Sequence, residues 1–314
     1  MSAMRETMAG QPAALRAILD DTGPVDSAAR AIGGRRVWLV GTGTSWHAAN
    51  HGAWMLGPTG VDARAAQAAD VAAYGPVPGE GDALVLLSHT GAKRDANTVL
   101  ERARAAGVPC VRVGARNTGA DLETVERESS SAFTASHLGA MLRVAQLARA
   151  LGADLGDLDA VPDAVAAALD APGPGVAPPA RLLELTGAGP NQWTAAEGAL
   201  KVREAARVAA EGLAVEQLLH GPAVALGADD ALVCLDGGGP LADRLEELAG
   251  LAEAGGVRVH RVTAPELGEP LSVFPLTVAV QRIALEAAET LGTDPDAFGY
   301  DVPGRKAAWE AVEL

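Results

Sequence analysis

The feature that most constrains this chain is an apolar strand that runs directly into a glycine-rich turn and a helix. It appears first at Arg35–Val40, which is followed by the turn and helix start at Gly41–Asn50. After its two arginines the strand is apolar at every position rather than at alternate positions. Such a pattern is typical of a parallel strand with both faces covered by helices. The segment therefore predicts one strand–turn–helix step of a parallel sheet.

The same plan recurs along the chain. A strand, a polar turn and a helix are predicted within Asp82–Gly107, and a long helix within Ser131–Gly152. The plan then restarts at Arg181–Gly212. Alternating strands and helices predict the α/β class, and right-handed crossovers make such a sheet doubly wound. The predicted fold is two tandem α/β domains, each a doubly wound parallel sheet flanked by helices.

Proline and glycine mark the boundary between the two halves. The stretch Asp170–Ala180 is rich in both residues, and a chain of 314 residues is long enough for two domains. The predicted organisation is an N-terminal helical segment at 1–25, a first domain at 26–154, a linker at 155–179, a second domain at 180–295 and a C-terminal tail at 296–314, which we expect to lie over the active site.

Composition limits the partners that we expect. A formal net charge of −15 disfavours nucleic acid, although backbone N–H groups at helix ends still bind a small phosphate.

Cys110 and Cys234 lie in short apolar runs without a C-x-x-C pair, which predicts buried thiols and no metal site. The N-terminus has no apolar signal core, and no charge-free run of about 18 apolar residues occurs. We expect a soluble, cytoplasmic protein without a membrane partner.

Hydroxyl-bearing side chains follow three of the predicted strands. They are Gly43-Thr44-Ser45 in the first glycine turn, Ser88-His89-Thr90 in the second turn, and Ser129 before the next helix. In doubly wound sheets, ligands bind outside the carboxyl ends of the strands. The pattern therefore indicates one anion site shared by these turns. Three ordinary helix N-caps are the alternative explanation of the same residues.

A charged pattern marks a helix of the second half. Glu197, Lys201 and Glu204 fall at i, i+4 and i+7 on one helix face, and His220 follows further along. The spacing alone favours a solvated face with a Glu–Lys ion pair and a helix-terminal histidine. A catalytic carboxylate and a catalytic histidine are the alternative.

These motifs together resemble a known family. The segments "GTGTSWHAA", "SHTG", "SSSAFT" and "EGALKVREAARVAAEGLAVEQLLHGP" follow the order and spacing of the isomerase module of glucosamine-6-phosphate synthase, which is built from sugar isomerase (SIS) domains. The last block is the most specific, because its sixteen-residue step from Glu204 to His220 fits the family pattern without a gap. The resemblance covers the chain from about Met4 to the tail.

The resemblance implies roles for individual residues. In the family, Glu204 is the base that moves a proton between C1 and C2 of the open-chain sugar, and Lys201 is a polar helper beside it. His220 assists ring opening and comes from the partner subunit, so the resemblance implies a homodimer with a shared active site. No cofactor and no metal are expected. The residues that the resemblance and the turns assign to the substrate phosphate are Gly43, Thr44, Ser45, Ser88, His89, Thr90, Lys93 and Ser129.

Three departures from the family pattern bear on the reaction. The chain has no glutaminase part, so we expect no transfer of ammonia from glutamine. The phosphate turn reads Thr90-Gly91-Ala92-Lys93 where the family has Ser/Thr-Gly-Glu-Thr, and Lys93 is either a point charge for the phosphate or an exposed helix lysine. Ala308 stands at the position of the family's Schiff-base lysine, with Arg305 and Lys306 as candidate substitutes nearby.

The function implied by the resemblance is that of a sugar-phosphate, in particular amino-sugar-phosphate, isomerase or deaminase. A carboxylate is a suitable base for enediol formation, and a histidine is a suitable proton carrier near neutral pH. Two alternatives stay open. One is a non-catalytic sugar-phosphate sensor, although a sensor needs neither Glu204 nor His220. The other is an SIS enzyme with altered chemistry on a related phosphorylated sugar derivative.

Overall fold

The computed structural model describes residues 2–312, in which helices and parallel strands alternate. The strands are β1 (Arg36–Gly41), β2 (Ala63–Gln67), β3 (Asp82–Leu87), β4 (Cys110–Gly114), β5 (Leu122–Glu123), β6 (Leu183–Gly187), β7 (Ala210–Ala214), β8 (Ala231–Asp236) and β9 (Arg258–Thr263). The helices are α1 (Ala3–Ala9), α2 (Gln11–Asp20), α3 (Gly23–Ile32), α4 (Thr44–Leu56), α5 (Ala68–Tyr74), α6 (Arg94–Ala105), α7 (Ala135–Ala150), α8 (Val161–Asp170), α9 (Asn191–Ala205), α10 (Val215–Leu219), α11 (Ala242–Ala254), α12 (Glu269–Leu291) and α13 (Arg305–Glu310).

The chain divides into two compact units. The N-terminal unit comprises Gly10–Glu128, Ala135–Asp159 and Ala307–Leu314, and the C-terminal unit comprises Met1–Ala9, Ser129–Thr134 and Ala160–Lys306. The α1 helix belongs to the C-terminal unit because the backbone N–H groups of Ala3 and Met4 donate to the Asp296 carboxylate at 2.7 and 3.0 Å. Each unit is therefore built from several separate segments of the chain, whereas the predicted domains were contiguous.

The N-terminal unit holds a parallel sheet with strand order β2-β1-β3-β4-β5. Val37 of β1 pairs with Ala63 on one side, and Arg36 pairs with Asp82 on the other. The chain leaves β1 toward β2 and then crosses to β3 on the opposite side. The carboxyl ends of β1 and β3 therefore form a topological switch point.

The C-terminal unit repeats this plan with strand order β7-β6-β8-β9, all parallel. Its central strand β6 pairs with β7 and β8 as β1 pairs with β2 and β3. Parallel sheets flanked by helices were predicted from the apolar strands, and the structure confirms this coarse architecture.

A matching ion pair lies at the N-terminal ends of the central strands in each sheet. Arg36 Nε donates to Asp82 Oδ1 at 2.7 Å, and the Gly79 N–H donates to Asp82 Oδ2 at 2.9 Å. In the C-terminal unit, Arg181 Nε donates to Asp230 Oδ1 at 2.9 Å, and the Gly227 N–H donates to Asp230 Oδ2 at 2.8 Å. The same local solution thus recurs although the two halves differ in sequence.

The strand interiors are apolar because helices cover both sheet faces. All of Asp82–Leu87 in β3 is buried, as predicted for a strand without an exposed face. In the C-terminal unit, α9 and α12 cover one face of the sheet, and α10 and α11 cover the other. The α12 helix is long and apolar enough to cross a membrane, but 83% of its most apolar stretch is buried inside the protein. It is the core helix of this unit.

Three segments differ from their predicted form. The predicted N-terminal helical segment at 1–25 contains two separate helices, α1 and α2, with Gly10 between them. The predicted linker contains α8, because Pro162 lies in the first turn, where its missing N–H costs nothing. The predicted tail contains α13, whose residues are exposed. Cys234 is buried as predicted, whereas Cys110 is only partly buried.

Candidate functional site

A very tight strand-to-helix turn places Thr44 and Ser45 at the switch point of the N-terminal unit. A methyl group added at Gly41 would lie 2.5 Å from the backbone carbonyl of Ser45, so only glycine lets β1 meet α4 this closely. Gly43 has a φ of +56°, which also favours glycine. The α4 helix therefore begins three residues after the last residue of β1. Backbone N–H groups at a helix N-terminus attract anions.

The second turn of the same switch point follows β3, the neighbour of β1. The Ser88 N–H donates to the Val113 carbonyl of β4 at 2.9 Å, which fixes the backbone. Ser88 Oγ is buried and has no hydrogen-bond partner among the residues that the structure describes. Thr90 Oγ1 accepts the N–H of Ala92 at 3.3 Å. The sheet thus brings two hydroxyl-rich turns to one edge.

His89 is anchored within the N-terminal unit. Its Nε2 accepts the backbone N–H of Glu128 at 3.3 Å, and its carbonyl accepts the N–H of Ala115 at 2.9 Å. Burial lowers the pKa of His89, with a further lowering by Arg127 and an opposing effect of Glu128. His89 is therefore a neutral acceptor near neutral pH.

Lys93, at the N-cap of α6, is exposed.

The equivalent switch point of the C-terminal unit is filled by the protein itself. Gly187 and Gly189 repeat the turn geometry, with a φ of +52° at Gly189. However, a methyl group at Gly239 would lie 1.8 Å from Glu269 Oε1, and one at Gly189 would lie 2.8 Å from it. Burial, and then Asp236, raise the pKa of Glu269. A carboxyl group occupies this crevice, which makes it unsuited to a phosphate.

A buried ion network lies on α9 of the C-terminal unit. Glu197 and Lys201 have no exposed side-chain surface, and the Glu204 side chain is 16% exposed. Lys201 Nζ lies 3.5 Å from Glu197 Oε1 and donates a hydrogen bond to Glu204 Oε2. The solvated face that spacing alone favoured is therefore wrong. The helix face is covered because α9 packs against α12 and the sheet.

His220 lies at the C-cap of α10 and is 79% exposed. Its Nε2 is 3.3 Å from Glu216 Oε2, and Glu216 also accepts a hydrogen bond from Arg244 Nε at 2.7 Å. The Pro222–Ala225 turn that follows exposes 92% of Val224. The histidine and an apolar side chain four residues later are thus both exposed on the C-terminal unit.

The remaining predicted residues lie elsewhere in the C-terminal unit. Ser129 is exposed, while the adjacent Ser130 is buried and its Oγ accepts the Ala132 N–H at 3.2 Å. Arg305 and Lys306 are exposed in α13. The structure therefore joins Thr44, Ser45, Ser88, His89 and Thr90 at one sheet edge, and Lys201 and Glu204 on one helix.

Two features of the strand-end crevices were not found by the sequence analysis. The bond between Glu128 and His89 joins residues 39 positions apart, and no pattern in the sequence signals it. Glu269 follows Gly268 at the start of a helix, so its position in the second crevice was equally invisible. Both depend on packing between distant segments.

Comparison with known proteins gives one consistent group of relatives. No family model matches the chain. A glutamine–fructose-6-phosphate aminotransferase (isomerizing) from Gloeobacter violaceus is 26% identical over 339 aligned positions, which cover 91% of this chain and 55% of the relative. The chain spans about half the length of the curated relatives that it matches over most of its own length.

Solved structures share the fold. The tagatose-6-phosphate ketose/aldose isomerase of Escherichia coli has a TM-score of 0.79 at 20% identity, covering 95% of both chains. The glucosamine-6-phosphate deaminase of Thermotoga maritima has a TM-score of 0.75 at 18% identity, covering 94% of this chain and 97% of the other.

The parallel α/β architecture of the chain is thus the fold seen in the solved phosphosugar isomerase and deaminase structures. The predicted resemblance to the sugar isomerase (SIS) domain family is confirmed, because sequence relatives and structural neighbours both carry it.

Proposed function

We propose that the protein is a sugar-phosphate aldose–ketose isomerase or deaminase that acts through an enediol intermediate. The observation that carries this proposal is the Glu197–Lys201–Glu204 network. Burying ions is costly, and replacing them by apolar residues is often neutral or stabilising. A protein that only binds a sugar has no need of a buried lysine joined to a partly accessible carboxylate. A proton-transfer enzyme does.

In this proposal the two units are two SIS domains, and the N-terminal unit holds the substrate phosphate. Thr44, Ser45, Ser88 and Thr90 supply hydroxyl groups, and the α4 N-terminus supplies backbone N–H groups. The buried Ser88 Oγ, which has no partner in the part of the chain that the structure describes, supports this role. The Glu269 carboxyl group argues against a phosphate at the second crevice.

Glu204 is proposed to take a proton from C2 of the open-chain aldose and return it to C1. The electrons of the C2–H bond form the C1=C2 double bond of the enediol while O1 takes up a proton. When C1 is protonated, the O2 hydroxyl loses its proton and the carbonyl lies at C2. Anchoring the phosphate away from these carbons lets its binding energy orient them. A 2-amino sugar treated in this way becomes an imine or enamine at C2, which water hydrolyses to release ammonia. That is the deaminase outcome.

His220 is proposed to transfer the proton that opens the sugar ring, and to do so in the site of a second copy of the chain. Its 79% exposure, together with the adjacent exposed Val224, supports a contact surface rather than a finished site. The homodimer is part of this proposal. The relatives' shared-site arrangement, which the resemblance implies, is consistent with it.

An SIS enzyme with altered chemistry is the second candidate. Ala308 lies in the exposed α13 and offers no amine for a Schiff base, and Arg305 and Lys306 are the nearest cations on that helix. Enediol chemistry through Glu204 does not require the amine. Imine formation between enzyme and ketose does.

The test is turnover of a panel of phosphorylated sugars, including glucosamine 6-phosphate, fructose 6-phosphate and tagatose 6-phosphate, with ammonia and ketose both measured. We expect Glu204→Gln to lower kcat by roughly 10²–10⁴-fold, the range for loss of a general base. Glu266→Gln, an exposed carboxylate of the same unit, is the matched control. Binding without turnover of any sugar in the wild type would favour the non-catalytic sensor instead.

A further inference from the structure

We infer that His89 is a positioning residue: its neutral Nε2 holds the Glu128 backbone N–H and thereby locks the Ser88–Gly91 turn in the conformation that presents its hydroxyl groups. The inference rests on the proposed function, because it assigns the locked turn to phosphate binding. The hydrogen bond itself can be tested without any activity. We call the His89–Glu128 contact the latch.

The latch joins three elements of the N-terminal unit. His89 follows β3, and its carbonyl is tied to the loop after β4 by the Ala115 N–H. The Glu128 N–H donates to the His89 ring at 3.3 Å, and Glu128 Oε1 accepts the Ser136 N–H at 2.7 Å in the first turn of α7. A movement of the Glu126–Glu128 segment is therefore transmitted to the turn that carries Ser88 and Thr90.

The chemistry of imidazole makes the latch sensitive to protonation. Because Nε2 accepts a hydrogen bond, the proton of the neutral ring lies on Nδ1. The imidazolium ion carries a proton on both nitrogens and cannot accept. Acidification therefore breaks the latch, and the partly buried Glu128 N–H loses its acceptor.

The charges around His89 set the direction of this response. Burial lowers its pKa below the usual value of 6.5, and Arg127 lowers it further, while Glu128 raises it. The Arg116 and Glu126 side chains, which flank the same segment, are paired with each other at 3.8 Å. The latch is therefore closed at neutral pH and opens only on the acid side.

Two substitutions at His89 distinguish its role as a hydrogen-bond acceptor from any other role of the imidazole ring. His89→Gln places an amide oxygen within similar reach, accepts the same N–H and does not titrate. His89→Leu keeps the bulk and removes the acceptor. We expect His89→Leu to raise the Kd for fructose 6-phosphate about tenfold at pH 7.5, with His89→Gln within about twofold of the wild type. As the pH is lowered from neutral, the wild type should lose affinity relative to His89→Gln measured at the same pH, which cancels the titration of the phosphate itself.

The decisive readout is hydrogen exchange at the Glu128 amide, because it needs no ligand. Faster exchange in His89→Leu, with exchange in His89→Gln as in the wild type, establishes the latch. Equal exchange in all three proteins overturns it. If His89→Gln exchanges as slowly as the wild type yet binds fructose 6-phosphate as weakly as His89→Leu, the ring contacts the phosphate directly and the positioning role is wrong. If the wild type binds no sugar phosphate, the proposed function fails while the exchange data still decide the latch.

Discussion

Glu184 is a carboxyl group buried in the central strand of the C-terminal sheet. It is 1% exposed, and burial, followed by the nearby Glu211, raises its pKa to about 8. Its register partner Leu232 belongs to the apolar cluster beneath α10 and α11, so Glu184 faces the same layer. Trp38 holds the equivalent place in β1, three residues before the strand-ending glycine. The second unit therefore tolerates a polar group where the first has an aromatic one.

Glu184→Gln is expected to stabilise the protein by about 3 kcal/mol at pH 7, because the amide is not ionised in the unfolded chain. The folded pKa of Glu184 lies above its unfolded value of 4.5. Its carboxyl group therefore costs nothing below pH 4.5, and the wild type loses stability progressively as the pH rises toward 8. Urea unfolding of both proteins between pH 4.5 and 8.5 measures the difference.

The free energies of unfolding of the wild type and Glu184→Gln should be similar at pH 4.5 and should differ increasingly as the pH rises. Glu266→Gln, which alters an exposed carboxylate in the same unit, should show no such divergence. A constant difference across the pH range would mean that Glu184 is ionised in the folded protein.

At the scale of elements, the junction of β1 and α4 controls the candidate anion site. The structure allows no side chain at Gly41, since its added methyl group would lie 2.5 Å from backbone atoms that cannot rotate away. The helix start and the hydroxyl groups of Thr44 and Ser45 move with that junction. Binding and stability are thus coupled in one turn.

Gly41→Ala is expected to destabilise the N-terminal unit by roughly 1–3 kcal/mol, the usual cost of overpacking, and to weaken fructose 6-phosphate binding at least tenfold. Gly57→Ala is the matched control, because Gly57 follows the same helix with a φ of −48° and has open space around its Cα. Thermal unfolding and calorimetric titration report the two effects. Unchanged binding by a folded Gly41→Ala protein would exclude this turn from the phosphate site.

At the scale of the whole molecule, the two units share a plan but differ in what their switch points contain. One edge presents hydroxyl groups, and the other is occupied by Glu269. Duplication of the sheet therefore does not imply duplication of the site.

Calorimetric titration with glucose 6-phosphate is expected to give one site per chain. Ser88→Ala should weaken that site about fivefold through loss of one hydrogen bond, whereas Glu269→Gln should leave its affinity unchanged. Two equivalent sites per chain, or loss of binding in Glu269→Gln alone, would assign the phosphate to the C-terminal unit.

The sequence by itself determined the class of fold and the position of most candidate residues. Apolar strands, glycine turns and helix ends can be recognised from segments of about ten residues, because backbone sterics and two-sided burial act locally. The order of those runs was sufficient to predict parallel sheets. The motifs around Glu204 and Ser88 were sufficient to predict the family resemblance.

Only the tertiary structure decided how those residues are surrounded. Lys201 and Glu197 had the spacing of an exposed ion pair, and packing of α9 against α12 buried them. Glu269 occupies the crevice beside Gly189, a residue 80 positions earlier in the chain. Glu128 donates to His89, which lies 39 positions earlier. Burial and long-range hydrogen bonds depend on which segments meet in space, and a local pattern carries no information about that.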